Sequence, residues 1–151
     1  MIEYPLSPIN LGGFSILSFA VDFDDAAQGQ VVTADRNVTV GFNVDTLQQK
    51  LENGVSRCSC ILSLECDIFE VAGENEAGAH LGTVKVKFSG VASGRFSESE
   101  SEEAIRDTLE ANAASFLYGK ARTYIELITA SCPGGTISLP AIMPIQKDLE
   151  E

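Results

Sequence analysis

Between Cys58 and Ile68 the chain alternates apolar and polar side chains. Cys58, Cys60, Leu62, Leu64, Cys66 and Ile68 share one parity, and Ser59, Ser63, Glu65 and Asp67 share the other. A period of two belongs to a β-strand, so the pattern predicts a strand with one covered and one wet face. Val38, Val40, Phe42 and Val44 repeat the signal, and so do Val84, Val86 and Phe88 against Thr83, Lys85 and Lys87. Between the last two strands lies VAGENEAGAH, which reads as a turn and puts His80 in it. Antiparallel pairing across that turn sets Lys85 and Lys87 opposite the Glu65 and Asp67 region, an arrangement that helps fix register. An earlier strand over Asn10–Phe23 is less regular. Leu17, Phe19, Val21 and Phe23 alternate, but Phe14 and Ile16 fall on the other parity, which predicts a bend. The stretch TLQQKLENG reads as a short connection, with Leu47 and Leu51 on one helical face and Gly54 closing it.

After Phe96 the period changes. Ile105, Leu109, Ala113 and Phe116 follow spacings of four, four and three, and Leu117, Ala121, Tyr124, Ile125 and Ile128 continue the stripe. Ser99 with Glu102 forms a capping-box pattern, and Glu98, Glu100, Glu102 and Glu103 gather at the positive end of the helix dipole. Gly119 marks a kink or a close helix contact. Pro133, Gly134 and Gly135 end the helix. An apolar tail follows, with Ile137, Leu139, Ile142 and Ile145 among Pro140 and Pro144. Four strands and then a helix, joined by hairpin-length loops, predict an α+β fold: a four-stranded antiparallel sheet with a long C-terminal helix packed on one face. No repeat or linker divides residues 1–151, which read as a single domain. The helix is apolar over a wider arc than one sheet requires. It serves either as a well-buried core helix or as one that also meets a second subunit, with Ala113, Phe116, Leu117 and Tyr124 as the interface.

Charge and chemistry narrow the functions. The formal net charge of −12 disfavours nucleic acid and anionic membranes as partners. No window reaches the ~18 apolar residues of a membrane span, and the start MIEYPLSPIN lacks the basic and apolar regions of a secretory signal, so the expected location is cytoplasmic. Four cysteines without a CxxC pair and a single histidine give no metal site, and the thiols read as reduced, buried small hydrophobes. The chain has no GxSxG, P-loop or HExxH pattern. Glu65 and Asp67 read as a solvated ion-pair face rather than an acid–base pair, and His80 as an exposed loop residue. Cys132 sits where the helix dipole opposes a thiolate. The expectation is a protein that is not an enzyme, uses no cofactor, and works through its surface.

The segment FLYGKARTYIELITASCPGGTISLPAIMP resembles the SecB family of protein-export chaperones. The shared pattern is an aromatic and apolar turn, the pair Ala121-Arg122, an apolar helix end, Gly135-Thr136 and an apolar L-x-P tail. The order of the strands matches as well, over Asn10 to Ile145. The resemblance implies a single SecB-like domain that pairs into dimers and a homotetramer through its long helices. It implies an ATP-independent holdase for unfolded polypeptide clients, with no membrane insertion, lining apolar grooves with Leu47, Leu51, Phe116, Ile137 and Leu139. The positions at which export-pathway members carry the acidic residues that dock a translocation motor fall near Ile16, Ala20 and Lys85, so that motor is not expected as a partner. Other SecB-like proteins serve as chaperones of toxin–antitoxin systems. The competing expectation is an oligomeric assembly protein that uses the same fold without holding clients.

Overall fold

The computed structural model describes residues 9–24, 36–71, 77–132 and 135–140. Its elements are β1 (Ile9–Phe23), β2 (Arg36–Lys50), β3 (Val55–Val71), β4 (Ala77–Arg95) and α1 (Glu102–Thr129). The strands form one antiparallel sheet in the order β1-β4-β3-β2. The most regular pattern in the sequence, β3, therefore sits in the middle, flanked by β4, and β1 and β2 form the edges.

The alternation on β3 divides the sheet as expected. Cys58, Cys60, Leu62, Leu64, Cys66 and Ile68 are all buried beneath α1, together with Val84, Val86, Phe88 and Ala92 of β4. The helix contributes Leu109, Ala113, Leu117, Tyr118, Ala121 and Ile125 to the same core. It lies close to the sheet at Gly90, where an added Cβ would come within 2.9 Å of the Leu117 side chain.

Four local expectations are corrected. β2 does not stop at Asp45: it keeps pairing with β3 as far as Lys50↔Ser56, so Leu47 lies on a strand and not on a helical face. Only Glu52–Gly54 form a 3-10 turn, in which Asn53 and Gly54 take positive φ to reverse the chain. The helix cap is Ser101, whose hydroxyl accepts from the Ala104 amide at 3.1 Å; Ser99 instead bonds Ser97. His80 belongs to β4, not to a turn. Gly119 does not kink α1, and no atom of the described residues of its own chain stands within 4 Å of where its Cβ would be.

The bend expected in β1 resolves into two bulges, between Gly12 and Ser15 and between Ile16 and Ser18. Each extra residue resets the parity, which is how Phe14 and Phe19, an odd number of positions apart, both pack on the core.

Candidate functional site: an apolar strip beside the edge strand

Helix α1 is narrower than the sheet and covers its centre. Toward β1 it turns Phe116, Lys120, Tyr124 and Ile128, spaced one turn apart. Phe14 of β1 reaches up into this flank. Its ring stacks on Tyr124 at 5.7 Å and meets Phe88 and Phe116 edge-on at 5.3 and 6.3 Å. The Lys120 ammonium lies 5.3 Å from the Phe14 ring centre and 5.7 Å from that of Phe116, capping the aromatic cluster with a cation. Beyond the cluster the helix no longer shields the strand. Leu11, Ile16 and Leu17 of β1 keep 44%, 46% and 50% of their surface exposed, and Leu127 and Ile128 are exposed on the last turn of α1. Leu11 and Ile16 pair opposite the core residues Ala92 and Phe88, so they stand on the helix side of the sheet. The result is an open apolar strip along the β1 flank, floored by half-buried aromatics and rimmed by exposed leucine and isoleucine.

The opposite flank is closed. Thr46 of β2 donates to the Glu110 carboxylate at 2.7 Å, which identifies the flank running from Glu110 to Tyr118 as the one facing β2. The described part of the tail lies along it. Tyr118 Oη donates to the Pro140 carbonyl at 2.9 Å and Arg122 Nε to the Leu139 carbonyl at 3.1 Å. The buried Thr129 hydroxyl donates to the Ile125 carbonyl and accepts from the Ile137 amide at 2.8 Å. Ile137 and Leu139 are thereby buried in the core of their own subunit.

Six of the residues singled out in the sequence thus lie apart from any shared groove. Ile137 and Leu139 are core residues and offer a client no surface. Ala113 and Leu117 are fully buried against the sheet and offer a second subunit none. Leu47 is exposed, but on the wet face, opposite Ser59 and away from the helix. Leu51 is exposed at the β2–β3 turn. Phe116 and Tyr124 do come together, in the aromatic floor of the strip. Ile142 and Ile145 fall outside the described residues. Leu11, Ile16 and Leu17 were not among the residues expected at a client surface; the broken parity of β1 at Ile16 and Leu17 is the signal that points to them.

The wet face carries the charge. Lys85 pairs across the strands with Glu65 and approaches it to 3.8 Å, as the alternation implied. Lys87 stands opposite Ser63 rather than Asp67. Asp67 accepts instead from Thr83 at 3.1 Å and lies 3.1 Å from His80 Nε2. A shallow, open trough of about 460 Å³ between Asn43, Ser63, Glu65, Lys85 and Lys87 crosses this face. The four cysteines are free. Burial pushes the Cys60 and Cys66 thiols up to about 12, which keeps them protonated and unreactive. No helix among the described residues is long and apolar enough to cross a membrane.

No family model matches the chain, and no curated protein matches it. Among solved structures it is similar to a SecB-like chaperone from Mycobacterium tuberculosis, solved in complex with a peptide from an antitoxin. The TM-score is 0.56 and the identity 16%, over 92% of this chain and 94% of that one. A protein of unknown function from Streptococcus agalactiae matches with a TM-score of 0.43 and 15% identity, over 87% of this chain and 97% of that one. A four-stranded antiparallel sheet followed by one long C-terminal helix is the architecture this chain shares with the mycobacterial chaperone: the fold is SecB-like.

Proposed function

We propose that this chain is an ATP-independent holdase that retains extended apolar segments of non-native polypeptides along the β1 flank of α1. The observation that carries the reading is the open strip itself, in which Leu11 and Ile16 stand exposed beside the Phe14–Phe116–Tyr124 cluster, next to the exposed Leu17 of the second bulge. Burial of apolar surface has no direction and needs no sequence match, so such a strip holds many clients weakly rather than one tightly. The two bulges support the reading from another side. They break the regular ladder where the strip is most apolar, so the edge takes up side chains without offering a long flat template to other copies of itself. The antitoxin peptide held by the mycobacterial neighbour is consistent with polypeptide as the partner class. Free, protonated thiols are compatible with work in a reducing cytoplasm. Catalysis is no part of the proposal, because Glu65 and Asp67 are engaged with Lys85, Thr83 and His80.

A second reading has its own observation. Ala111, Ser115, Gly119 and Thr123, all exposed, form a smooth small-residue back on α1, where a helix of another copy fits closely. An assembly protein that uses this back to oligomerise and covers the strip with a partner subunit would hold no clients. Light scattering separates the two readings. A client diluted from denaturant should stay soluble at equimolar chain without nucleotide. Undiminished aggregation at a several-fold excess overturns the holdase.

A further inference from the structure

At the far end of the wet face the only histidine of the chain joins three adjacent strands. His80 of β4 places Nδ1 2.9 Å from Asp24 Oδ2, just past the end of β1, and Nε2 3.1 Å from Asp67 Oδ1 on β3. The arrangement is built by the backbone. The register of β3 and β4 shifts between Ile68↔Gly82 and Phe69↔His80, so Leu81 is accommodated in the core while His80 and Thr83 emerge on the same face. Thr83 Oγ1 consequently lies 3.1 Å from Asp67 Oδ1 and 3.2 Å from His80 Nε2. Gly82 makes room for the end of β1: a Cβ there would come within 2.7 Å of the Asp22 carbonyl and 2.8 Å of the Phe23 ring. The approach lets the Asp24 amide donate to the Leu81 carbonyl at 2.9 Å. Phe69 braces the imidazole edge-on at 5.3 Å.

We propose that His80 is a proton-operated clasp that fastens the end of edge strand β1 to the sheet and releases it when the imidazole loses its charge. Only imidazolium has two N–H donors, one for each carboxylate. A neutral ring has one, and the other nitrogen then turns a lone pair toward a carboxylate oxygen about 3 Å away, which repels it. Either neutral form keeps two hydrogen bonds, because the Thr83 hydroxyl, 3.1 Å from Asp67 and 3.2 Å from Nε2, donates to whichever of them the ring proton leaves unserved. What separates the two forms is the cost of letting a carboxylate go. Asp24 is the more exposed, 48% against 36%, and stands past the end of the edge strand, whereas Asp67 is held in the central strand β3. The carboxylate released to water is therefore that of Asp24, with the neutral ring protonated on Nε2.

The charged groups around the ring agree with this. Asp24 faces it from β1 and Asp67 from β3, while Asp22 and Lys85 line the shallow cavity beside Asp24 and Thr83. The bond to Asp24, followed by that to Asp67, holds the imidazole above its ordinary value of 6.5, so the charged clasp persists to higher pH than a free imidazole would. The clasp is independent of client holding: it concerns whether the end of β1 stays on the sheet.

A single histidine makes the test direct, because its ring resonances are unique. Nitrogen-15 NMR of the full chain follows the imidazole through pH, while corrected hydrogen exchange follows the Asp24 amide against the Phe88 amide as an internal reference. The expected result is a ring that titrates above 6.5 and is protonated on Nε2 when neutral. Relative protection of the Asp24 amide should fall several-fold across the same titration. In Asp24→Asn the titration should move down, and in His80→Gln the protection of residue 24 should lose its pH dependence. A ring that titrates at 6.5 or below, an Nδ1–H neutral form, or Asp24 protection that ignores the titration overturns the clasp.

Discussion

The centre and the edges of this sheet follow different rules. On β3 and β4 nearly every inward side chain is fully buried, from Cys58 to Ile68 and from Leu81 to Ala92. On β1 and β2 the inward side chains are half-covered: Phe14, Phe19, Val21, Val40, Phe42 and Val44 touch the core but keep a share of solvent. One helix is about 10 Å across, and four strands at about 4.8 Å spacing are wider than that. The centre is therefore where stability is concentrated, and the edges are where surface is left over for function. The two edges differ in turn. The tail from Gly135 to Pro140 closes the β2 flank of the helix, and the β1 flank stays open.

This contrast is breakable at each level. Phe88→Ala removes the largest fully buried side chain of the central strands and should cost about 3–5 kcal/mol, measured by denaturant unfolding. A cost near that of a surface substitution would mean the centre is not where stability lies. Thr129→Val tests the closed flank. It removes the buried hydroxyl that the Ile137 amide donates to and should cost about 1–3 kcal/mol. Loosened tail packing should also show as raised proteolysis after Thr129.

His80→Gln reaches the end of the β1 edge and should act through pH rather than through overall stability. Because the folded-state value of His80 lies above its ordinary 6.5, its contribution is fully present below 6.5 and is lost as pH rises through the raised value. The difference between wild type and variant should accordingly shrink from pH 6 toward alkaline pH. A difference that grows would reverse the assignment. Ile16→Ser with Leu17→Ser should have the smallest effect on stability, within about 0.5 kcal/mol, since both side chains are half in water already.

The same contrast explains what was legible in the sequence. β3 could be read residue by residue because its two faces differ in chemistry as they differ in burial. The end of β2 could not, because Leu47 and Leu51 mimic a helical spacing while pairing with β3 keeps the chain extended to Lys50. Serines at 97, 99 and 101 alternate with glutamates, and only the three-dimensional path of the chain selects Ser101 as the cap. The apolar tail was visible as apolar, but its periodicity does not distinguish a wall of a groove from a plug in the core. The hydrogen bonds of Tyr118, Arg122 and Thr129 make that choice. His80 was hidden by the bulge that places it on the strand, and the open strip was hidden by the two bulges of β1. In each case a one-residue shift of register decides the face, and alternation alone does not report it.

The most direct test of the account is the binding of a fluorescent, unstructured apolar peptide, followed by anisotropy without nucleotide, to wild type and to the Ile16→Ser, Leu17→Ser variant. The account predicts saturable binding by wild type and at least a tenfold weaker affinity for the equally stable variant. Equal affinity for both would place the client elsewhere and contradict the assignment of the β1 flank as the holding surface.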